Sequence, residues 1–240
     1  MYFKIIGHRG DMNLVPENSL SSLNMLKINK INWIEIDTIL TKDNIPVIFH
    51  DKDLDRVSNF KGEVIDYNFY ELKKADIGSK FSNKFKNEKV PSLSEFMLIS
   101  NSLSINIFLE LKSYYDNKND FKLVKEVAKR LNNINLNISI ILCSYSKNII
   151  KYLKKYIPNF KRSLIVDDLS ENNLEFSLAN ECYSININYK PNNNIEDIKK
   201  LKEKINVYCH VINKKEDIEE LKELGINGII TDNPIEISKN

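Results

Sequence analysis

Trp33-Ile34-Glu35-Ile36-Asp37-Thr38-Ile39-Leu40-Thr41-Lys42-Asp43-Asn44-Ile45-Pro46-Val47-Ile48-Phe49-His50 reads as a strand, a short turn and a second strand. A parallel crossover needs about a dozen residues. Thr41-Lys42-Asp43-Asn44-Ile45 is too short for one, so Pro46 to His50 is expected to fold back as a hairpin arm. The rest of the chain alternates. Strand candidates rich in Ile and Val lie at 2–7, 33–39, 105–111, 138–143, 161–166, 184–188, 207–211 and 228–231. Between them are helix candidates near 19–29, 92–101, 120–131, 147–156, 171–179, 194–204 and 214–224, with a short one after Pro234. The last full helix is marked best: Ile218, Leu221 and Leu224 keep helical spacing, and Gly225 stands where a left-handed cap belongs. Eight βα units in 240 residues match an α/β protein of the (β/α)8 TIM-barrel class. A doubly wound open sheet is the fallback. Residues 1–240 are expected to form a single barrel domain, with about 51–90 a small insertion after the β-hairpin arm.

Composition narrows the setting. With 42% hydrophobic residues the chain can bury a sizeable core. Its 35 basic and 33 acidic residues are interspersed, which gives no reason to expect a nucleic-acid or membrane-surface partner. Cys143, Cys182 and Cys209 are far apart, odd in number and without CxxC spacing, so they are expected to be buried, unpaired thiols in a reducing compartment. The first apolar run stops at Gly7, too early for a signal segment or a membrane span. A cytoplasmic protein without stable membrane insertion is the expectation; its oligomeric state is open.

Barrels of this class carry their chemistry at the C-terminal ends of the strands. Glu35 and Asp37, two apart on a strand, point to one face, while Ile34 and Ile36 point to the other. An isolated pair of this kind more often marks a solvated edge strand. Here Phe108-Leu109-Glu110-Leu111-Lys112 repeats the pattern on a second strand. Three carboxylates at two strand tops make a hard oxygen site suited to Mg2+ or Ca2+. Zinc is disfavoured without a clustered Cys or a third His. Lys112 would serve an anion or form a salt bridge to Glu110. His8 ends the first strand and His50 ends the arm, so both converge on the same mouth; their ordinary pKa near 6.5 suits an acid and base pair. Arg9 offers a planar fork for phosphate or carboxylate. In Pro16-Glu17-Asn18-Ser19, Asn18 is a good cap for the first helix; a helix-start role is expected of Ser19, while for Glu17 and Asn18 that role and a place in the substrate pocket are both open.

At this point the chain resembles the glycerophosphodiester phosphodiesterases. The matching stretches are His8-Arg9-Gly10, Pro16-Glu17-Asn18, Glu35-Ile36-Asp37, Thr41-Lys42-Asp43 leading to His50-Asp51, and Leu54-Asp55-Arg56. Glu71-Leu72-Lys73, Val90-Pro91-Ser92-Leu93, Leu109-Glu110-Leu111-Lys112 and Gly228-Ile229-Ile230-Thr231-Asp232-Asn233-Pro234 continue the series in order. The resemblance implies a barrel that hydrolyses glycerophosphodiesters to sn-glycerol 3-phosphate and an alcohol, using one divalent cation. It implies Glu35, Asp37 and Glu110 as metal ligands, His8 and His50 as acid and base, and Arg9 and Lys112 facing the phosphate.

One position departs from that pattern: His210 stands where the family usually has an aromatic residue, most often Trp. It is expected to point inward with Tyr208, either lining the substrate pocket or buried as a neutral, hydrogen-bonded ring. Two rival readings are kept. A phospholipase D-like enzyme acting on lysophospholipid or sphingomyelin would need an apolar surround; Val57, Phe60, Val64, Ile65, Tyr67, Phe69, Tyr70, Phe81 and Phe85 in the insertion fit ordinary packing better. A non-catalytic phosphate-binding barrel would have lost one of the site groups.

Overall fold

The computed structural model describes residues 3–190 and 195–239. The elements run β1 (Lys4–His8), α1 (Leu20–Ile28), β2 (Trp33–Leu40), β3 (Pro46–Ile48), α2 (Phe69–Leu72), α3 (Leu93–Leu103), β4 (Asn106–Leu111), α4 (Asn117–Asn132) and β5 (Ile140–Ser144). They continue with α5 (Lys147–Tyr156), β6 (Lys161–Val166), α6 (Glu171–Ala179), β7 (Ser184–Asn188), α7 (Ile195–Lys202), β8 (Asn206–His210), α8 (Lys215–Glu223), β9 (Gly228–Thr231) and α9 (Pro234–Ile237). The sheet order is β1-β9-β8-β7-β6-β5-β4-β2-β3, and β1 also pairs with β2, so eight parallel strands close into a barrel. The (β/α)8 expectation is met and the open sheet is not. β3 pairs antiparallel with β2, Thr38 opposite Ile48, as the short turn requires.

Most boundaries fall within a few residues of the reading from sequence. The first strand extends through His8, whose register partner on β2 is Glu35. Helix α4 begins at Asn117, earlier than the expected 120, because Asp116 caps it by accepting from the Asn119 amide at 2.8 Å. Residue 2 of the first strand candidate and residue 194 of the sixth helix candidate lie outside the described residues.

Strand alternation divides the core in two. Ile34 and Ile36, with Ile107, Leu109 and Leu111, face outward into a large apolar layer shared with the helices. Ile6, Trp33, Phe108, Ile141, Cys143, Ile165, Tyr208 and Ile230 fill the barrel interior, with Phe108 and Tyr208 edge to face at 4.9 Å. Inward positions one step further along these strands are polar. The site therefore rests on a dry, aromatic floor.

Between β3 and β4 a separate apolar cluster, including Val47, Leu54, Val64, Leu72 and Val90, packs against Val57, Phe60, Tyr67 and Phe69. Three of the six insertion aromatics, Phe60, Tyr67 and Phe69, serve this packing; Tyr70 and Phe81 are exposed, and Phe85 packs edge to face on Phe81. The cysteines are free, and Cys143 and Cys209 are buried, but Cys182 is only partly so. It lies in the turn just before β7, where the chain reaches the outer surface of the barrel. Among the described residues no helix is long and apolar enough to cross a membrane.

Gly7 shows how tightly the first strand meets the loop after it. A Cβ there would lie 2.4 Å from the Gly10 carbonyl oxygen. Gly7→Ala is expected to cost about 1–3 kcal/mol, lowering the thermal midpoint by roughly 2–4 °C per kcal/mol; an unchanged midpoint would show that the loop yields freely.

Candidate active site

The register puts the charged side chains side by side. Asp37 on β2 is opposite Glu110 on β4, and Glu35 is opposite His8 on β1. All three carboxylates are buried, each with an oxygen within 4.8 Å of the others. Burial and mutual repulsion push Glu35 well above the usual carboxylate range and Glu110 up to about 7. For Asp37, burial is outweighed by Lys112, Arg9 and His50 and by the Asn18 amide, which together hold it well below that range. Such a cluster is a hard-oxygen cradle short of positive charge, and these residues fit a divalent cation.

The chain's own cations stand at its edge. Lys112 Nζ lies 2.8 Å from Glu110 and 3.5 Å from Asp37, so the salt bridge considered from sequence is formed. Arg9 Nε is 3.3 Å from Asp37, and its NH1 donates to Glu17 at 3.0 Å. Glu17 also accepts from both terminal nitrogens of Arg56, at 2.6 and 2.7 Å. Arg56 in turn donates to Asp51. The chain of contacts runs from Asp37 through Arg9, Glu17 and Arg56 to Asp51.

Of the two roles open to Asn18, the helix cap is not the one it takes. It is Ser19 that caps α1, accepting from the Ser22 amide, whereas Asn18 donates to Asp37 Oδ2 at 2.9 Å and accepts from the Asp37 amide at 3.2 Å. Asn18 adopts a φ of 54°, a left-handed conformation that asparagine tolerates better than most residues. This turns its amide onto the neighbouring strand instead of onto the helix start.

Both histidines are held the same way. Nδ1 of His8 is 2.6 Å from Asp232, and Nδ1 of His50 is 2.6 Å from Asp51. An ionised carboxylate only accepts, so each Nδ1 carries the proton and each Nε2 is left available for chemistry. His8 Nε2 lies 4.0 Å from Glu35. Burial, with Lys112 and Arg9 nearby, lowers His50 despite the opposing pull of Asp37. Tyr114 fixes the arm by donating to the His50 carbonyl at 2.6 Å. Asn213 donates to Asp232 at 2.7 Å, steadying the carboxylate behind His8.

His210 stands at the end of β8 with its Nε2 3.1 Å from the Tyr145 hydroxyl. Asp232, Asn213, Tyr114 and Tyr145 were given no role from sequence. For Asp232 a signal existed in the closing Thr231-Asp232-Asn233-Pro234 segment; the other three lie in loops whose spacing carries no pattern.

With this geometry in place, the comparisons with known proteins are decisive. Residues 8–236 match the model of the glycerophosphoryl diester phosphodiesterase family. The chain belongs to this family. A glycerophosphodiester phosphodiesterase of Caldanaerobacter subterraneus subsp. tengcongensis is 31% identical to it over 236 residues, covering 96% of this chain and 94% of the relative. A glycerophosphodiester phosphodiesterase of Bacillus subtilis is 25% identical over 95% of this chain and 83% of its own. Among solved structures, a phosphodiesterase of Oleispira antarctica in complex with the product sn-glycerol 3-phosphate superposes with a TM-score of 0.93 at 25% identity, covering 98% of this chain and 95% of that one.

A carboxyl group whose pKa is raised on folding stabilises the fold at low pH and loses that contribution as pH rises through the folded value. The cation-free family member is thus expected to lose stability from about pH 4.5 through about 7, the position of Glu110. Glu35→Gln removes one repelling charge and should flatten this slope in thermal melts. A flat profile in the wild-type chain would show that the three carboxylates do not strain one another.

Proposed function

We propose that the chain works as one barrel domain, residues 51–90 forming its insertion, and hydrolyses glycerophosphodiesters to sn-glycerol 3-phosphate and an alcohol. The observation that carries this reading is the pair of carboxylate-backed histidines beside the three-carboxylate cluster. The Oleispira antarctica phosphodiesterase, similar along nearly the whole chain, holds sn-glycerol 3-phosphate as its product.

Glu35, Asp37 and Glu110 would hold one divalent cation, Mg2+ or Ca2+. Bound there, the cation supplies Lewis-acid stabilisation of charge on the phosphate oxygens. Arg9 and Lys112 face the same oxygens and add positive charge where it grows in the transition state. One histidine Nε2 takes a proton from the attacking oxygen, which belongs to water or to the substrate's own glycerol hydroxyl; in the second case a cyclic phosphate forms first and water then opens it to glycerol 3-phosphate. The other ring, carrying protons on both nitrogens, gives its Nε2 proton to the departing alkoxide as the P–O bond breaks. Asp232 and Asp51, by accepting from Nδ1, aim Nε2 of each ring at the site. Glu17 and Asn18 act behind the site, Glu17 by joining Arg9 to Arg56 and Asn18 by fixing Asp37. The three free cysteines suit a cytoplasmic location.

A panel of glycerophosphocholine, glycerophosphoethanolamine and lysophospholipid, with and without chelator, tests the reading through coupled detection of glycerol 3-phosphate. Release from the first two, lost on chelation and restored by Mg2+ or Ca2+, is expected. Turnover of lysophospholipid alone would favour the phospholipase D-like reading, and full activity without cation would contradict the assigned ligands. His8→Ala and His50→Ala should each lower kcat by about 10²-fold or more, with little change in product affinity. Near-normal turnover in both variants would return the chain to the binding-barrel reading.

A further inference from the structure

The charged site groups occupy one arc of the mouth: Asp232 after β9, His8 on β1, Glu35 and Asp37 on β2, Glu110 and Lys112 at the end of β4. The opposite arc is built differently. Tyr145, directly after β5, reaches the end of β8, and β6 and β7 lie between these two strands. Its hydroxyl meets His210 Nε2 at 3.1 Å, the two rings edge to face with centroids 6.3 Å apart. This contact crosses the mouth.

The hydrogen-bonding pattern gives the contact a direction. His210 Nδ1 is buried without a partner. A neutral imidazole carries one N–H and one lone pair, and burying an unpaired N–H is the rarer and costlier choice. The tautomer with its proton on Nε2 leaves only a lone pair unmatched. Burial, with His8 nearby, lowers the ring to about 4, so it is neutral at neutral pH. Nε2–H therefore donates to the Tyr145 oxygen, and the phenol keeps its own hydrogen free. Tyr145 is 42% exposed, with room to offer that hydrogen at the mouth.

The phosphate of a diester is drawn to Arg9 and Lys112 on the charged arc. Across from them stands Asp167, bonded by the Asn188 amide at 2.7 Å. Glu110 and Asp167 place negative charge near Tyr145, and Asp167 acts on His210 as well, in each case outweighing the smaller effect of Lys112, so this side disfavours an anion. This arc is left to an uncharged part of the substrate. We propose that Tyr145, oriented by His210, donates a hydrogen bond to a hydroxyl oxygen on an alcohol arm of the diester, making the pair a specificity element for hydroxylated substituents. The proposal rests on the phosphodiesterase reading. Tyr145 is the contact residue, and His210 is a positioning residue that acts through it.

The test compares glycerophosphoglycerol, hydroxylated on both arms, glycerophosphocholine, hydroxylated on one, and bis(p-nitrophenyl) phosphate, hydroxylated on neither. Tyr145→Phe should lower kcat/KM for hydroxylated substrates about tenfold or more while leaving bis(p-nitrophenyl) phosphate within about twofold. A loss on both glycerol substrates assigns the hydroxyl to the shared glycerol arm; a loss on glycerophosphoglycerol alone assigns it to the head group. His210→Phe should reproduce the pattern, and His210→Gln, which can still donate to the phenol oxygen, should recover part of the loss. Thermal melts of each variant show that the fold persists. An equal loss on all three substrates, or no loss on any, would overturn the proposal. Wild-type turnover of bis(p-nitrophenyl) phosphate but of neither glycerol substrate would overturn the glycerophosphodiester reading itself, before any variant is compared.

Discussion

Three buried carboxylates that repel one another are the constraint around which the mouth of this barrel is organised. Left alone, Glu35, Asp37 and Glu110 would not all stay ionised. Arg9 and the Asn18 amide favour Asp37, Lys112 is shared between Asp37 and Glu110, and Glu35 has no lysine or arginine side chain in salt-bridge contact among the described residues. The arrangement costs folding energy that the aromatic floor and the outer apolar layer must offset. Natural proteins accept such local strain where binding or chemistry needs it.

The rest of the site follows from tying these charges together. Arg9, Glu17, Arg56 and Asp51 form a continuous run from Asp37 to the ring of His50. It joins the first βα loop to the insertion, so the hairpin arm is held by charge as well as by the apolar cluster beneath it. On the other side Asp232 and Asn213 hold His8 from the last two strands of the barrel. His8 is thereby fixed by a carboxylate remote in the chain, and His50 by its neighbour Asp51, which Arg56 ties back to the first βα loop.

Period-two alternation explains why much of this was legible in the sequence. Glu35 with Asp37, and Glu110 with Lys112, are two apart on strands whose intervening residues are Ile and Leu, so a common face was forced. The barrel followed from the eight strand signals, and the arm from the short turn before Pro46. Asn18 stayed open between two roles because a helix cap and a long-range contact leave the same local signature; only the fold shows that its amide meets Asp37. Asp232 lies 224 residues from His8, a separation at which no spacing rule operates. Tyr145 was silent for the same reason: its partner His210 is 65 residues away across the mouth. Cys182 is only partly buried because it lies in the turn before β7, whereas Cys143 is within β5 and packs in the barrel interior.

The central claim is that the repelling carboxylates exist to hold a cation. Crystals grown with Mn2+ and measured for anomalous scattering test this most directly. The account predicts a single strong peak bounded by oxygens of Glu35, Asp37 and Glu110, with Lys112 drawn away from Glu110. An occupied Mn2+ position elsewhere, or crystals saturated with Mn2+ in which Lys112 still bridges Glu110 and Asp37 with no peak between the carboxylates, would contradict it.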